Sequence, residues 1–245
     1  MAGSVDGIAG ATRSRRGERR LDRNQVVRAA IALVDEHGVD ALTMRRLGRQ
    51  LGVEAMSLYG YVASRENLID GVIEAVVEEL FDDPDTKLMD TDGWQDYLVR
   101  VAHSVRRSAL AHPQLFPVLA TKPPEAPWLR PPLRSLQWVE SFLASLRTHG
   151  FDDEAAVYTY RAFTSFLLGH LLLEVAALGV RTGPLPEPDH AARSKDGAGE
   201  LSLRDYPEVR RLRRKLGRND AKTEFEESLE NLLYRLENVR SHGIP

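Results

Sequence analysis

The stretch ALTMRRLGRQLGVEAMSLYGYV, residues 41–62, decides the fold. Thr43 stands where its hydroxyl oxygen can accept a backbone N–H of the next turn and open a helix. Leu47 and Leu51, four residues apart, give that helix one buried side. Gly52 follows directly, where ending a helix calls for a left-handed residue and glycine adopts it without a steric penalty. Val53 and Leu58 then anchor a second short helix. Ala55, Met56, Ser57, Tyr59, Gly60 and Tyr61 are left to face outward or sideways. Gly48 marks a close approach of the first helix to a neighbour. Two short helices meeting at a glycine, apolar inside the angle and small, hydroxylated and aromatic outside it, form a helix-turn-helix suited to the major groove of DNA.

The flanks complete a small domain. Upstream, Val26, Val27, Ala30, Ile31 and Val34 lie on helical spacing over residues 24–37, with Gly38 at the stop position. Downstream, Ser64-Arg65-Glu66-Asn67 is a helix start signal. Leu68, Ile69, Val72, Ile73, Val76 and Leu80 continue it as an amphipathic helix.

With these features in order, residues 21–81 resemble the DNA-binding domain of the TetR family of transcriptional regulators. The resemblance rests on the apolar first helix ending in Gly38, on Leu42-Thr43-Met44-Arg45-Arg46-Leu47, on Leu51-Gly52-Val53, and on Ser57-Leu58-Tyr59-Gly60-Tyr61-Val62 followed by Ser64-Arg65-Glu66-Asn67-Leu68. It covers about a quarter of the chain. The remainder resembles the family's helical regulatory domain more weakly, most visibly in the last helix. The implied fold is all-α: a flexible arginine-rich arm at 1–20, a three-helix head with its connector helix at 21–81, and a helical ligand-binding and dimerisation domain at 82–245 with a mobile loop near 181–207.

Composition fits that division. The 245 residues can bury two cores. Cysteine is absent, which excludes disulfides and cysteine–zinc sites. No apolar signal segment follows the first methionine, and the longest apolar run, 166–180, contains His170 and Glu174 and is short for a bilayer span. A cytoplasmic, nucleoid-associated protein with no membrane contact is expected. The net charge of −3 is segregated: residues 1–65 carry eleven arginines against seven acids, so the rest of the chain is acidic.

Contacts to DNA divide into positioning and readout. The resemblance implies that Thr43, Tyr59, Tyr61 and Arg65 hold phosphates. Arg45 can present its guanidinium to O6 and N7 of a guanine. Ala55 and Met56 can meet only apolar features such as a thymine methyl, and Ser57 is a short, permissive hydrogen bonder. Many family members carry glutamine or arginine where Ala55 stands and a bulkier aromatic where Gly60 stands, so base readout by this helix is thin. Arg13, Arg15, Arg16, Arg19 and Arg20 form an arm that can follow the minor groove or the phosphates.

Beyond the head the pattern is helical throughout. Helices are expected over 94–110, near 115–119, over 132–149 and over 152–178, with a proline-rich loop holding Trp128 at 121–132. A short basic helix is expected over 206–216. Phe225, Leu229, Leu232, Leu233 and Leu236 form an apolar stripe on a final helix over 221–240, which the resemblance pairs with the 152–178 helix and their mates from a second subunit. The implied partners are a pseudo-palindromic double-stranded operator, a second copy of the chain and a small hydrophobic or aromatic effector. Trp94, Tyr97, His103, Phe116, Trp128, Trp138, Tyr158, Phe163, Phe166 and His170 are the expected lining of its cavity, with ordinary core packing as the alternative for each. Tetracycline-binding members hold magnesium with a histidine and a glutamate; an ungapped reading puts Val118 and Leu173 there, so no metal or cofactor is expected.

The expected activity is that of a homodimeric repressor released from its operator by ligand. A DNA-binding adaptor whose helical domain takes a protein partner is the alternative. A small helical enzyme fits less well, because the chain has no Gly-rich phosphate loop, paired-histidine metal motif or nucleophile elbow.

Overall fold

The computed structural model describes residues 21–87, 93–121, 128–129, 135–180, 205–218 and 220–243. The expected arm at 1–20 and the connector at 181–204 lie outside them, as does most of the proline-rich loop.

The described chain is helical, and its helices open as the local chemistry dictates. Helix α1 spans Arg23–His37, capped by Asp22, whose carboxylate accepts the Gln25 N–H at 2.8 Å. Gly38 ends it at φ 81°. A single 3-10 turn, Val39–Ala41, leads into α2, Met44–Leu51. Helix α3 is one turn, Ala55–Leu58. Helix α4, Arg65–Asp82, starts at Ser64, whose Oγ accepts the Asn67 N–H at 3.1 Å. At about 1.5 Å per residue its 18 residues span about 27 Å.

The second half holds α5 (Trp94–Ala111), α6 (Phe116–Thr121), α7 (Leu136–Thr148) and α8 (Asp153–Ala177). After the connector come α9 (Pro207–Leu216) and α10 (Ala221–His242). Helix α9 already occupies Pro207, so the loop expected through 207 ends before it. None of the residues of α9 is buried, and its basic face is exposed among the described residues.

Two apolar cores form. One is built by α1, α2, α3 and the first half of α4, around Val26, Ala30, Val34, Leu47, Leu58, Leu68 and Val72, and it takes in Leu115. The other is built by α5, α7, α8 and α10, around Leu98, Phe142, Phe163, Leu171, Phe225 and Leu236. Helix α4 runs from the first core toward the second.

The α4–α5 junction is tied by Asp83. Its carboxylate accepts the Asp85 N–H at 2.9 Å, the Ser104 hydroxyl at 2.8 Å and Arg107 at 2.6 Å. These donors, led by the Asp85 N–H, hold the carboxyl below its ordinary value of 3.8. The folded chain therefore releases this proton at lower pH than the unfolded chain does. The tie's contribution is whole above the ordinary value and is lost as pH falls through the folded one. Acid melting of Asp83→Asn is expected to show less loss of stability below pH 3.8 than wild type, as followed by circular dichroism.

Candidate functional site

The head presents its reading surface through local chemistry. Thr43 Oγ1 accepts the Arg46 N–H at 3.2 Å and caps α2. Gly52 takes the left-handed conformation at φ 71° and ends it. Gly48 is buried, and a Cβ there would lie 2.8 Å from the Val53 carbonyl oxygen, so the turn folds back onto α2 without room for a side chain. The Val53 N–H donates to the Gly48 carbonyl at 2.9 Å and closes that approach. Leu58 is fully buried and fixes the roll of α3. Met56, 76 % exposed, then projects outward with Ser57 and Tyr59, while Ala55 and Tyr61 are half-buried.

Arg45 and Arg49 are both exposed, four residues apart on one side of α2. Sequence reasoning passes over Arg49, although its spacing from Arg45 is an available signal. Arg65, expected at a phosphate, also has main-chain partners within the head. Its Nε donates to the Leu42 carbonyl at 2.7 Å and its Nη2 to the Val39 carbonyl at 3.0 Å. The guanidinium grips the entry to α2, because the start of α4 lies directly beneath those carbonyls.

A chamber of about 90 Å³ lies between the head and the second core. Val76, Val77, Leu80 and Phe81 of α4 form one wall, and Val101, Val105 and Ser108 of α5 another. Phe116, Leu119 and Ala120 of α6, Trp138 of α7, and Thr164, Leu167 and Leu168 of α8 close it. Of the ten residues expected to line a cavity, the structure brings Phe116 and Trp138 to this one. Tyr97 reaches an open groove beside it, and burial pushes its hydroxyl up to about 12, so it stays protonated.

The other candidates lie elsewhere. Trp94 is buried, with its Nε1 donating to Glu237 at 3.2 Å and its ring edge-on to Phe151. Phe163 stacks on Phe142 in the core, and Tyr158 lies under Arg235. Phe166, His170 and His103 surround the Phe225 ring. Trp128 is 73 % exposed. Aromatic size makes these residues conspicuous, whereas most of the chamber's lining is aliphatic, with the same periodicity as any core.

Most of the apolar stripe expected at a subunit interface packs within its own chain. Phe225, Leu229, Leu233 and Leu236 are buried in the chain's own core, and Leu232 packs against it. The stripe faces α8 and α5 because its apolar area is consumed within one chain. What α8 and α10 leave exposed is Val157, Leu173 and Tyr234, the last two at 75 % and 72 %.

Glu174 is committed to Arg106. Arg106 Nε donates to its Oε2 at 3.0 Å, and both side chains are largely covered. Among the described residues no group of three or more histidines and acids is placed to hold a metal ion. No described helix is long and apolar enough to cross a membrane.

The chamber meets the head along two routes. Helix α4 is one. The other is the turn before α6, where His112 Nδ1 lies 2.9 Å from Asp35 Oδ2 of α1 and Leu115 enters the head's core.

Comparison with known proteins agrees with both halves. Residues 26–72 match the family described as bacterial regulatory proteins, tetR family, and residues 87–240 match the tetracyclin repressor-like C-terminal domain. The tetracycline repressor protein class D of Escherichia coli is 31% identical over 172 residues, 69% of this chain and 74% of that protein. A structure of a possible TetR family transcriptional regulator from Streptomyces coelicolor superposes with a TM-score of 0.67 at 30% identity, covering 89% of this chain and all of the other. The Streptomyces coelicolor TetR family protein ActR, solved with actinorhodin, shares the fold at a TM-score of 0.65 and 23% identity over 93% of this chain and all of that one. The chain, with its helix-turn-helix head and helical second half, belongs to the TetR family of DNA-binding transcriptional regulators.

Proposed function

We propose that the protein is a homodimeric repressor that leaves a pseudo-palindromic operator when a small molecule fills the chamber. The carrying observation is that the chamber wall is built from α4 and α6, both of which also contact the head. A ligand that favours a wider or narrower chamber therefore biases the placement of the reading heads. Differential binding worth about 1–3 kcal/mol would weaken operator binding roughly five- to 150-fold. The existence of the chamber favours a small-molecule effector over a protein partner. The reading is tested by selecting bound fragments from the organism's own DNA and screening compounds linked to the neighbouring genes for their release. A binder that never releases DNA at saturation would refute it.

In this reading Thr43, Tyr59 and Tyr61 face phosphates, Arg45 reads a base, and Ala55, Met56 and Ser57 pass close to the groove floor. The arginines of the arm add phosphate or minor-groove contacts. Removing residues 1–20 is expected to weaken operator binding and to flatten its salt dependence, by about 0.9 in the log–log slope for each phosphate the arm neutralises. Titration at several salt concentrations checks this, and an unchanged slope would exclude the arm.

The two copies meet through the faces that α8 and α10 leave open. Gly169 lies on that face of α8, with nothing within 4 Å of where a Cβ would be. Leu173→Asp combined with Tyr234→Asp is expected to give a monomer by sedimentation and to lose most operator affinity, since one short recognition helix reads few base pairs. A double variant that remains dimeric would place the interface elsewhere.

A further inference from the structure

We propose that the effector is an uncharged, mainly apolar molecule with a hydrogen-bond-accepting oxygen, held in the chamber by the hydroxyls of Ser108 and Ser135 and admitted past Trp138. The proposal rests on the reading of the chamber as the effector site.

Among the described residues no charged side chain lines the chamber. The nearby Arg106 and Glu174 satisfy one another and offer nothing to a ligand. A carboxylate, phosphate, ammonium or metal chelate placed here would lose its hydration without gaining a counter-charge, a cost of several kcal/mol per ion. The occupant is therefore neutral where it is buried.

Four hydroxyls line the same space, and their protons are not equally free. Thr86 gives its proton to the main-chain carbonyls of Asp83, at 2.8 Å, and Leu80, at 3.0 Å. Thr164 gives its proton to the Tyr160 carbonyl at 2.6 Å. Ser135 Oγ accepts the Trp138 N–H at 3.2 Å as the cap of α7, and among the described residues its own proton has no acceptor. Ser108 makes no side-chain hydrogen bond among the described residues. Two serines whose protons have no acceptor among the described residues thus line an apolar space, and a hydrocarbon would offer them none. A carbonyl or ether oxygen would satisfy one or both.

The exit sets how far the neutrality extends. Phe81, Thr86 and Trp138 line both the chamber and an open groove of about 840 Å³. That groove, unlike the chamber, has charged side chains on its walls, Glu78, Asp82 and Lys87.

The test uses three probes that share one ring small enough for a chamber of about 90 Å³: cyclopentane, cyclopentanone and cyclopentanecarboxylate. Each is titrated calorimetrically into the full-length protein without DNA. Cyclopentanone is expected to bind, with cyclopentane about three- to tenfold weaker for want of the acceptor. The carboxylate is expected to be weaker by at least about a hundredfold. Ser108→Ala should bring cyclopentanone closer to cyclopentane and leave the affinity for cyclopentane itself unchanged or raised, since one unsatisfied donor is gone; that retained binding also shows that the variant is folded. Magnesium and chelator should change nothing. Equal binding of ketone and carboxylate, equal losses for both neutral probes in Ser108→Ala, a metal requirement, or no binding by any probe up to its solubility would each overturn the proposal. Operator release is measured separately. Cyclopentanone that binds in this pattern but leaves DNA bound supports the ligand class and counts against the release reading.

Discussion

Gly48→Val is expected to abolish high-affinity operator binding. At this position a Cβ would sit 2.8 Å from the Val53 carbonyl oxygen and 3.2 Å from the Ala55 nitrogen, both main-chain atoms that no rotamer change can move. Extra carbon in a closed site costs about 1–3 kcal/mol, and valine adds three carbons. Relief requires α3 to swing away from α2, which breaks the 2.9 Å hydrogen bond between Val53 and Gly48 and misdirects Met56 and Ser57. A loss of at least about tenfold in affinity follows from each 1.4 kcal/mol, read by fluorescence anisotropy on operator DNA beside a thermal melt. Gly52→Ala is the control. Open space surrounds that position, so only the left-handed backbone is penalised, by about 1–2 kcal/mol. A Gly48→Val protein that melts and binds like wild type would refute the close-approach argument.

The same glycines show what a sequence makes legible. Thr43, Gly52 and Ser64 act on residues three or four positions away, so helix starts and stops around the head follow from local rules alone. The chamber does not. Its walls come from five helices, and a valine or leucine carries the same periodicity whether it faces a neighbour or a void. Choosing by aromatic size finds Phe116 and Trp138 and passes over Val76, Leu80, Ser108 and Ser135. The stripe of α10 is a similar case. Its spacing establishes an apolar face, but periodicity cannot say whether the covering helix belongs to the same chain. The structure gives Phe225, Leu229 and Leu236 to the chain's own core. Arg65 is beyond reach for a third reason: its acceptors, Leu42 and Val39, lie 23 and 26 residues away and are main-chain atoms.

In the proposed release mechanism, that pair of bonds would make Arg65 the joint through which α4 acts on the head. The first residue of α4 holds the carbonyls that precede α2, and the last turns of the same helix form a chamber wall. A rigid helix fixed at both ends transmits a displacement that a frayed one would absorb. Bonds from a charged donor contribute about 1.5–3 kcal/mol each, discounted here because the guanidinium is only partly covered. Arg65→Ala is therefore expected to lower the head's stability by about 2–3 kcal/mol and to weaken operator binding, with the salt slope unchanged. Arg65→Lys should fail in nearly the same way, since an ammonium cannot reproduce the fork that spans two carbonyls. A phosphate contact predicts the opposite pattern: lysine would retain most of the affinity, and alanine would reduce the slope by about 0.9 without a stability loss. Denaturant melts and salt titrations of the two variants separate a residue that positions the reading head from one that touches DNA.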